Sequence, residues 1–342
     1  MQKILVAMSG GVDSSVSAYK MIEDGYKVSG ITLSMGRECD KIAIQDAKKV
    51  SEKLGIEHYV LDVSKEFDKN VINYFTSSYL LGETPNPCVM CNKFVKFKSI
   101  INFLKQNNYD FIATGHYAKI INNNGIFELY KGNDLKKDQS YFLAMLDYEF
   151  LQYIKFPLHD IEDKEYTREI AKKIGLHVAE KKDSQDICFI NKDYKDFLIN
   201  DRKIETKKGI IKHINGTILG EHNGIINYTI GQRKGLGIAY KNPLYVVELD
   251  GINNIVYVGD DSDLSKNTLI IKDLNVLNDL IYKDIEFTFK LRSTHFGEQG
   301  KIQLLDNNKA NILLNKDTRA ITKGQLCVIY LNDMVVGGGW IE

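Results

Sequence analysis

The sequence has no excess of charge of either sign, because 45 Lys and Arg side chains balance 45 Asp and Glu side chains over 342 residues. A net charge of zero gives no general attraction to nucleic acid, so an RNA partner would have to bind at local basic patches. The sequence also has no apolar run long enough to cross a membrane. The apolar run at residues 4–8 is too short for a signal peptide, so we expect a cytoplasmic protein.

Cysteine and proline are scarce, with five and four residues respectively. An odd number of cysteines spread over a long chain argues against a disulfide framework and leaves at most a few thiols that take part in chemistry. Two of the prolines and two of the cysteines lie together in residues 84–92 (TPNPCVMCN). This segment is therefore the first place to look for reactive thiols.

The first two hundred residues alternate short apolar runs with segments of helical periodicity. The predicted strands are residues 4–8, 28–33, 58–63 and 111–114, and the predicted helices are residues 14–24, 43–54, 67–81 and 93–106. Such alternation implies an α/β region with a parallel sheet covered by helices on both faces. Residues 118–121 and 126–129 flank the turn NNNG and predict a hairpin inserted after that sheet. After a polar linker at residues 200–208, short runs rich in Ile, Val, Tyr and Thr predict an all-β remainder from about Gly209.

Residues 9–15 (SGGVDSS) lie directly between a predicted strand and the start of a predicted helix. Glycines let the backbone approach a ligand, and the helix N-terminus adds partial positive charge, so this loop can hold a phosphate or a pyrophosphate. Asp13 is a candidate magnesium ligand, and the hydroxyls of Ser14 and Ser15 could cap the helix or bind phosphate oxygens. The loop matches neither the Walker A nor the dinucleotide-binding pattern, and the alternative is a glycine-rich turn with serine caps.

Cys88 and Cys91 lie at the start of a predicted helix that carries Lys93, Lys96 and Lys98. A helix N-terminus and nearby lysines lower the pKa of a thiol, so we expect more thiolate here at neutral pH than in a free cysteine. The alternatives are half of a zinc site or inert thiols. Zinc commonly takes two Cys-x-x-Cys pairs, and this chain has one.

The other cysteines carry weaker signals. Cys188 lies in residues 182–190, an acidic and polar run that ends in an apolar segment, and by itself it would be interpreted as a buried thiol. Cys39 and Cys327 have no setting comparable to that of the cysteine pair. We expect both of them to be structural.

Three motifs together resemble the bacterial tRNA-specific 2-thiouridylase family of the ATP pyrophosphatases, which cleave ATP to AMP and pyrophosphate. They are the SGGVDS loop, the Asn-Pro-x-x-x-Cys-Asn loop at residues 86–92 and the Asp-Ser-x-x-Ile-Cys-Phe segment at residues 183–189. Segments that also resemble this family are residues 113–118 (ATGHYA), 137–143 (KDQSYFL) and 228–237 (YTIGQRKGLG). The resemblance extends over nearly the full chain.

The resemblance implies three domains. They are a Rossmann-like parallel-sheet ATP pyrophosphatase domain at residues 1–206, a small central β-rich domain at residues 207–268 that contacts tRNA, and a C-terminal β-barrel at residues 269–342. It also implies an enzyme that uses ATP and Mg²⁺ to adenylate the C2 oxygen of the tRNA wobble uridine (U34). A persulfide from a sulfur-carrier protein then supplies the sulfur, and we expect the enzyme to be a monomer.

The resemblance also implies roles for individual residues. The expected ATP contacts are Ala7, Met8, Ser9, Gly10, Gly11, Val12, Asp13, Ser14, Leu33 and Gly115. The expected tRNA contacts are Asn86, Pro87 and Cys88 near the target base, Lys137, Asp138 and Gln139 in a strip, and Arg292 and Ser293 in the barrel, where the family has Arg-Tyr. Cys91 matches the family's nucleophile and Cys188 its persulfide-bearing cysteine. Some members carry Asp where this chain has Cys88.

Cys88, Cys91 and Cys188 leave a second interpretation open, because three thiolates can also hold a [4Fe–4S] cluster whose fourth iron binds sulfide. Two other classes of protein remain as alternatives. A small-molecule ligase of the same superfamily would share the loop but would not need paired thiols, and a non-catalytic RNA-binding module would not need the loop. The basic patches expected to contact RNA are Lys93, Lys96 and Lys98, then Lys136 and Lys137, then Arg233 and Lys234.

Overall fold

A computed structural model describes residues 1–181, 187–190 and 192–342. The strands of the N-terminal region are, in chain order, Lys3–Ala7 (β1), Lys27–Ser34 (β2), Glu57–Asp62 (β3), Phe111–Ala113 (β4), Ala118–Asn123 (β5), Ile126–Lys131 (β6) and Ile154–Lys155 (β7). All but the β5–β6 hairpin form one parallel sheet, in the order β3–β2–β1–β4–β7. Ile4, Leu5 and Val6 of the central strand β1 are fully buried, as expected for a strand covered on both faces.

Helices pack on both faces of this sheet. Leu5 of β1 belongs to a different apolar cluster from its neighbours Ile4 and Val6, because successive side chains of a strand point to opposite faces. The α-helices are Val12–Glu23 (α1), Glu38–Leu54 (α2), Ser64–Phe67 (α3), Asn73–Leu80 (α4), Pro87–Met90 (α5), Lys98–Gln106 (α6), Lys164–Lys173 (α7) and Tyr194–Asp196 (α8). Short 3₁₀ turns occupy Ser140–Leu143, Tyr148–Tyr153, Ile225–Asn227, Asp261–Leu264 and Asp279–Tyr282.

Within the described residues, three helical stretches contain a π-helical segment. Asp68–Ile72 joins α3 to α4, Cys91–Phe97 joins α5 to α6, and Phe197–Asp201 continues α8. The stretch from α5 to α6 begins six residues before the predicted helix start at residue 93. The earlier start follows from Pro87 at the first helical position and from the side chain of Asn86, which accepts a hydrogen bond from the Val89 N–H at 3.4 Å.

The central region is a small sheet of Gly209–His213 (β8), Ile218–His222 (β9), Tyr245–Asp250 (β10) and Ile255–Gly259 (β11). Its strand order is β10–β11–β8–β9, with β11 and β8 parallel and the other pairs antiparallel. The apolar cluster of this sheet also contains residues of α3 and α4 and the thiol of Cys91, so the central region packs against the helices that flank the cysteine loop.

The C-terminal strands form a closed barrel. They are Ser265–Val276 (β12), Phe287–Lys290 (β13), Glu298–Leu305 (β14), Lys309–Arg319 (β15), Leu326–Leu331 (β16) and Met334–Ile341 (β17). The order β12–β15–β14–β13–β16–β17 closes on itself because β12 also pairs with β17. The predicted fold class is therefore confirmed: a parallel-sheet α/β region, a small β-rich region and a β-barrel follow one another along the chain.

The β5–β6 hairpin has a partner that the sequence did not reveal. It pairs with β17 of the barrel, where Tyr130 lies opposite Met334 and Leu129 lies opposite Val335. The hairpin is thus inserted after the first sheet, as predicted, but it extends the sheet of the barrel. The N-terminal region and the barrel consequently share hydrogen-bonded strands.

The turn between α4 and α5 contacts both of the other regions. A Cβ added to Gly251 in the central region would lie 2.3 Å from the carbonyl carbon of Leu81, so the two backbones touch. On the barrel side, the Thr84 N–H donates to the Lys323 carbonyl at 2.9 Å, and the Gln325 amide donates to the Thr84 carbonyl at 3.0 Å. The segment that leads into the cysteine loop is therefore held from two sides. Within the described ranges, no helix has the length and apolar character needed to span a membrane.

Candidate active site

The loop at residues 9–15 connects β1 to α1 and depends on glycine at two positions. Gly10 has a φ of 68°, and a Cβ there would lie 2.5 Å from the carbonyl oxygen of Ala43. Gly115 packs against the same loop, and a Cβ there would lie 2.9 Å from the backbone nitrogen of Ser14. Gly11 differs, because its φ of −106° suits any residue and the nearest atom to an added Cβ is 3.5 Å away.

The serine hydroxyls of the loop mostly bond within the loop. Ser14 Oγ accepts a hydrogen bond from the Ser9 N–H at 3.2 Å, and the fully buried Ser15 donates to the Gly11 carbonyl at 2.8 Å. Neither hydroxyl caps α1, whose N-cap residue is Gly11. The suggestion that Ser15 binds phosphate is wrong, since its hydroxyl is buried and already bonded, whereas Ser9 and Ser14 line the cavity described next.

A cavity of about 280 Å³ lies between the loop and the helix that carries the cysteines. The predicted ATP contacts that line it are Ala7, Met8, Ser9, Asp13, Ser14, Leu33 and Gly115. Gly10, Gly11 and Val12 lie behind this lining, and Val12 is part of the apolar core. The polar side chains of the remaining wall are those of Thr32, Arg37, Asp40, Lys96, Thr114, His116 and Gln139.

Asp13 joins the loop to α7. Its Oδ2 accepts a hydrogen bond from Lys164 Nζ at 2.9 Å, and its Oδ1 accepts one from the Tyr117 hydroxyl at 2.9 Å. The Tyr117 hydroxyl also lies 3.1 Å from Thr167 Oγ1 in α7. The carboxylate that was a candidate magnesium ligand is thus engaged by a cation and a hydroxyl.

Cys88 and Cys91 lie one turn apart on the same helix and differ in exposure. Cys88, in α5, is exposed, whereas Cys91, at the start of the π-helical segment, is only 5% exposed. Asn86 and Pro87 act at the helix start, where the Asn86 side chain is a cap and its N–H donates to the Tyr74 hydroxyl at 3.3 Å. These two predicted base contacts therefore also define where the cysteine helix begins.

The predicted lowering of the thiol pKa values is wrong. Burial raises the pKa of Cys91 to about 11. The side chain of Cys88 reaches the surface, but the protein packed around it displaces enough water to raise its pKa as well, and the charge of Lys96 opposes both shifts. Loss of water around a thiolate destabilises it more than the helix N-terminus and one lysine stabilise it. The sequence could not show this, because the burial comes from residues outside the cysteine segment.

The three lysines of this helix have different surroundings. Lys93 pairs with Asp147 at 3.7 Å, and Lys98 is exposed. Lys96 lines the cavity, and although burial alone would lower the pKa of Lys96, its interactions with the three nearby cysteines raise that pKa. Of the basic patch predicted on this helix, only Lys98 lies on the surface as RNA contact requires.

Cys188 is exposed and is held beside the cavity from two sides. Its carbonyl accepts a hydrogen bond from Arg37 Nη1 at 2.7 Å, and the same guanidinium donates to Asp40 at 2.8 and 3.1 Å. Asp40 is buried, which fixes the guanidinium. The next residue, Phe189, packs edge-on against Phe67 at a centroid distance of 5.8 Å. The role of Arg37 could not be predicted from the sequence, because Cys188, whose carbonyl accepts its hydrogen bond, lies about 150 residues later in the chain.

Cys88, Cys91 and Cys188 are close enough to influence one another electrostatically. The remaining motif residues at 182–186 lie outside the described residues. Among the residues that are described, no three His, Cys, Asp or Glu side chains form a group that could hold a metal ion. The three thiols therefore lie near one another without the arrangement that an iron–sulfur cluster needs.

The two remaining cysteines differ from each other. Cys327 is fully buried in β16, where burial strongly raises its pKa, and its predicted structural role is confirmed. Cys39 is exposed in the first turn of α2, so the expectation of a structural role is wrong there.

His116 forms part of the cavity wall, a position for which the sequence predicts no role. Its Nδ1 lies 2.7 Å from Thr114 Oγ1, and its ring packs against Phe97 and Phe156. Burial, with a smaller contribution from the charge of Lys96, lowers the pKa of His116 to about 3, so the ring is neutral. The ATGHYA motif was the available signal, but burial cannot be inferred from it.

The three residues of the predicted tRNA strip, 137–139, differ in their exposure to solvent. Lys137 is exposed. Asp138 accepts hydrogen bonds from the Ser140 N–H at 3.1 Å and the Ser140 hydroxyl at 2.9 Å, and burial raises its pKa. Gln139 lines the cavity and accepts from the Tyr117 N–H at 3.1 Å. Only Lys137 is therefore presented to a macromolecule.

Two further sets of predicted RNA contacts lie on the surface. Arg292 and Ser293 are exposed in the loop between β13 and β14, and Phe296 of the same loop is 101% exposed. Arg233 and Lys234 are exposed in the central region, in a loop between β9 and β10. Both sets are therefore exposed at the surface.

Three family models match successive parts of the chain. They describe a tRNA methyl transferase HUP domain at residues 2–192, a tRNA methyl transferase PRC-barrel domain at residues 195–260 and an aminomethyltransferase beta-barrel domain at residues 266–341. Their order follows the three regions of the fold.

Curated relatives match over the full length. The tRNA-specific 2-thiouridylase MnmA of Rickettsia typhi is 50% identical over 355 residues, which cover 100% of this chain and 99% of the relative. The protein of the same name from Rickettsia prowazekii is 49% identical over 354 residues, with coverages of 100% and 99%. A solved 4-thiouridine synthetase–RNA complex with bound ATP is 17% identical, covers 55% of this chain and 45% of its own, and has a TM-score of 0.37. Likeness at that level carries no argument about function.

Proposed function

The chain belongs to the tRNA-specific 2-thiouridylase family, and from that premise we propose how its cavity performs the reaction. It is a tRNA sulfurtransferase that makes 2-thiouridine. We propose that the target is the wobble uridine (U34), whose C2 oxygen is first adenylated with ATP and then replaced by sulfur. The observation that carries the proposal is one cavity that has the SGGVDS loop on one side and Lys96 of the cysteine helix on the other.

The loop serves the first half of the reaction. The C2 oxygen of uridine is a poor leaving group, and adenylation converts it into the oxygen of a departing AMP. Backbone N–H groups at the start of α1 stabilise the pyrophosphate as it leaves, with the hydroxyls of Ser9 and Ser14 beside them. The ammonium group of Lys181 donates to the Gly10 carbonyl at 2.9 Å and pairs with Asp46 of α2 at 2.7 Å, so it ties the loop to that helix.

The cavity offers little to a metal ion in this arrangement. Asp13 and Asp40 are its lining carboxylates in the described part of the chain, and both are bonded, Asp13 to Lys164 and Asp40 to Arg37. We propose that Mg²⁺ arrives bound to the phosphates of ATP, and no step is assigned to a protein-bound metal. The thiols likewise do not fit a [4Fe–4S] cluster, so we derive no step through one.

The thiols serve the second half. We propose that a sulfur-carrier protein delivers a persulfide to Cys188, whose thiol is exposed and whose backbone carbonyl accepts a hydrogen bond from Arg37. In one route the outer sulfur attacks C2 and displaces AMP, after which the Cys91 thiolate attacks the Cys188 sulfur and releases 2-thiouridine. In the other, Cys91 first releases the outer sulfur as hydrosulfide, which then attacks C2. Both routes oxidise the two thiols to a Cys91–Cys188 disulfide, which an external thiol must reduce before the next cycle.

Access to the base requires it to leave the anticodon stack and enter the cavity. We propose that Lys137, Arg233, Lys234 and Arg292 contact tRNA phosphates, because these cations are exposed. The protein acts as a monomer in the cytoplasm in this proposal. We place the domain boundaries near residues 206 and 268, and we note that β12 of the barrel already begins at Ser265.

The test combines ATP, Mg²⁺, unmodified tRNA and a persulfide donor with the full-length protein. We expect AMP, pyrophosphate and, by mass analysis of tRNA nucleosides, 2-thiouridine. Asp13→Ala should abolish AMP formation because it breaks the link between the loop and α7, and Asp13→Asn is the control of equal size. Formation of ADP would contradict the pyrophosphatase chemistry, and AMP formation that needs no tRNA would favour a small-molecule ligase.

A further inference from the structure

The π-helical segment places Lys96 over Cys91. In an α-helix, the neighbours of residue i along one face are residues i+3 and i+4. Hydrogen bonds in a π-helix run from i to i+5, so residue i+5 is brought onto the same face as residue i, beside residue i+4. Within Cys91–Phe97, that residue is Lys96. The unusual helix geometry therefore puts a cation and a buried thiol on the same face.

Lys96 also lies between the two halves of the site. Its side chain lines the cavity together with Asp13 and Ser14, and its ammonium group interacts electrostatically with Cys91, Cys88 and Cys188. Its neighbour Lys93 pairs with a carboxylate, whereas among the described residues no carboxylate or carbonyl accepts a hydrogen bond from Lys96. The charge of Lys96 is thus directed at sulfur.

Comparison of Cys91 with Cys327 of the barrel shows how the charge of Lys96 affects a buried thiol. Cys91 and Cys327 are both buried, and burial raises the pKa of each, but the shift is larger for Cys327, where no cation opposes it. Lys96 lowers the cost of forming an anion at Cys91. The reaction forms sulfur anions in succession, on the persulfide and on the nucleophilic thiol, and each is stabilised by a cation held in a site of low dielectric constant.

We propose that Lys96 is a catalytic residue of the sulfur-transfer half-reaction, whose ammonium group stabilises the Cys91 thiolate and the outer sulfur of the Cys188 persulfide. This role rests on the proposed function. It differs from the two other uses of a lysine at this place, which are binding of the ATP phosphates and contact with tRNA. Each of the three uses changes a different measurable quantity.

The first experiment needs neither ATP nor tRNA. The rate at which iodoacetamide alkylates each cysteine is measured against pH by peptide mass spectrometry in the wild type, Lys96→Met and Lys96→Arg. We expect Lys96→Met to shift the profiles of Cys88 and Cys91 to higher pH by about one unit and Lys96→Arg to restore them. Cys39 is the internal reference, because it is exposed and Lys96 does not act on it. Lys98→Met, at the exposed lysine two residues on, should leave every profile unchanged.

The second experiment separates the half-reactions in a single turnover with tRNA, ATP and a protein loaded with persulfide. We expect Lys96→Met to slow 2-thiouridine formation more than AMP formation, by about tenfold for each unit by which the thiol pKa rises. Lys96→Arg should recover most of the rate of 2-thiouridine formation. Thermal unfolding of each variant, followed by circular dichroism, establishes that the comparison is made between folded proteins.

Four outcomes would overturn the role. Unshifted alkylation profiles in Lys96→Met, with AMP formation lost or the KM for ATP raised, would make Lys96 a phosphate ligand. Unshifted profiles with weakened tRNA binding alone would make it an RNA contact. Wild-type protein that forms no 2-thiouridine would overturn the proposed function and this role with it, whereas shifted profiles together with unchanged 2-thiouridine formation in Lys96→Met would overturn only the role.

Discussion

The loop at residues 9–15 and the helical stretch at residues 87–106 border the same cavity, but their chemistry has different origins. The loop acts through its backbone, whose turn is set by Gly10 and by hydrogen bonds between residues at most five positions apart, and Lys164 and Lys181 bond to this turn from later in the chain. The thiols act through charge, and their charge is set by burial and by side chains elsewhere in the chain, including Arg37. A site made of backbone is therefore encoded locally, whereas a site made of reactive side chains is encoded by tertiary packing.

We expect the largest effect from variants that stop sulfur transfer and leave adenylation intact. Cys188→Ser removes the persulfide carrier and leaves the loop intact, so we expect AMP and pyrophosphate to form without any 2-thiouridine. Cys91→Ser should behave in the same way. Cys39→Ser is the control, because its thiol is exposed and lies outside the cavity lining. If Cys188→Ser still thiolates tRNA at the wild-type rate, the sulfur is carried by another group.

A pH series tests whether burial of the thiol limits the second half. Because the pKa of Cys91 is raised to about 11, its thiolate fraction grows about tenfold per pH unit between pH 7 and 9. We expect the rate of sulfur transfer, measured in a single turnover, to rise over this range while AMP formation does not follow the same slope. Equal slopes for the two steps would place the limiting titration in the loop or in the tRNA.

The raised pKa of Cys91 also makes the free energy of unfolding depend on pH. The folded pKa of Cys91 exceeds the ordinary value of 9.0, so the stability that the neutral thiol contributes is full below pH 9 and is lost as the pH rises to about 11. The free energy of unfolding of Cys91→Ala, measured by denaturant titration, should therefore depend less on pH in this window than that of the wild type. An unchanged dependence would mean that Cys91 is not buried in solution.

Substitution of the two adjacent glycines of the loop should change the free energy of unfolding by different amounts, although both belong to the same motif. Gly10→Ala combines a positive φ with a contact of 2.5 Å, and we expect it to lower the free energy of unfolding by about 1–3 kcal/mol. Gly11→Ala meets no close atom, and its effect should stay within about 0.5 kcal/mol. Chemical denaturation of both variants measures this difference. If Gly11→Ala is stable but no longer binds ATP, the ligand itself approaches that backbone.

We expect the smallest effects from substitutions at the proposed RNA surface, whose residues lie outside both the loop and the cysteine helix. Lys137→Ala and Arg233→Ala should each lower the slope of log K against log salt by about one unit. Phe296→Ala should weaken tRNA binding by about 1 kcal/mol without changing the slope, because a ring contributes by stacking. Ile252→Ala, at another exposed apolar side chain, is the control. Unchanged slopes in both cation variants would place the RNA on a different face.

Much of the fold could be predicted from the sequence, because the periodicity of apolar residues is a local signal. Most strands and helices lie within a few residues of their predicted bounds, and the largest differences are at α2, which begins five residues before its predicted start, and at the stretch from α5 to α6, which begins six residues before its predicted start. The destination of the β5–β6 hairpin could not be predicted, because its partner β17 lies at the other end of the chain. Pairing between distant strands leaves no trace in local periodicity.

The candidate site was predicted less evenly. Residues of the loop and the cysteines were identified by motif, and most of the predicted ATP contacts do line one cavity. The pKa shift of the thiols was predicted with the wrong sign, because burial by residues outside the cysteine segment outweighs the charge of Lys96, and Lys93 pairs with Asp147 instead. Lys96 itself was expected at the RNA surface, and the π-helical turn that redirects it has no recognisable sequence signal.

The strand pairing between β6 and β17 also sets an order of events during synthesis of the chain. Leu129 leaves the ribosome roughly 200 residues before Val335, its partner across the sheet, which corresponds to about 10–40 s at ordinary rates of translation. Throughout that interval the edge of β6 has no partner strand, and an unpaired edge is open to pairing with other nascent chains. The catalytic region can thus be complete in sequence well before its hairpin has a sheet to join. Delayed release of the C-terminus from the ribosome would prolong the exposure of this edge. The exposure ends when the eight-residue strand β17 pairs with β6.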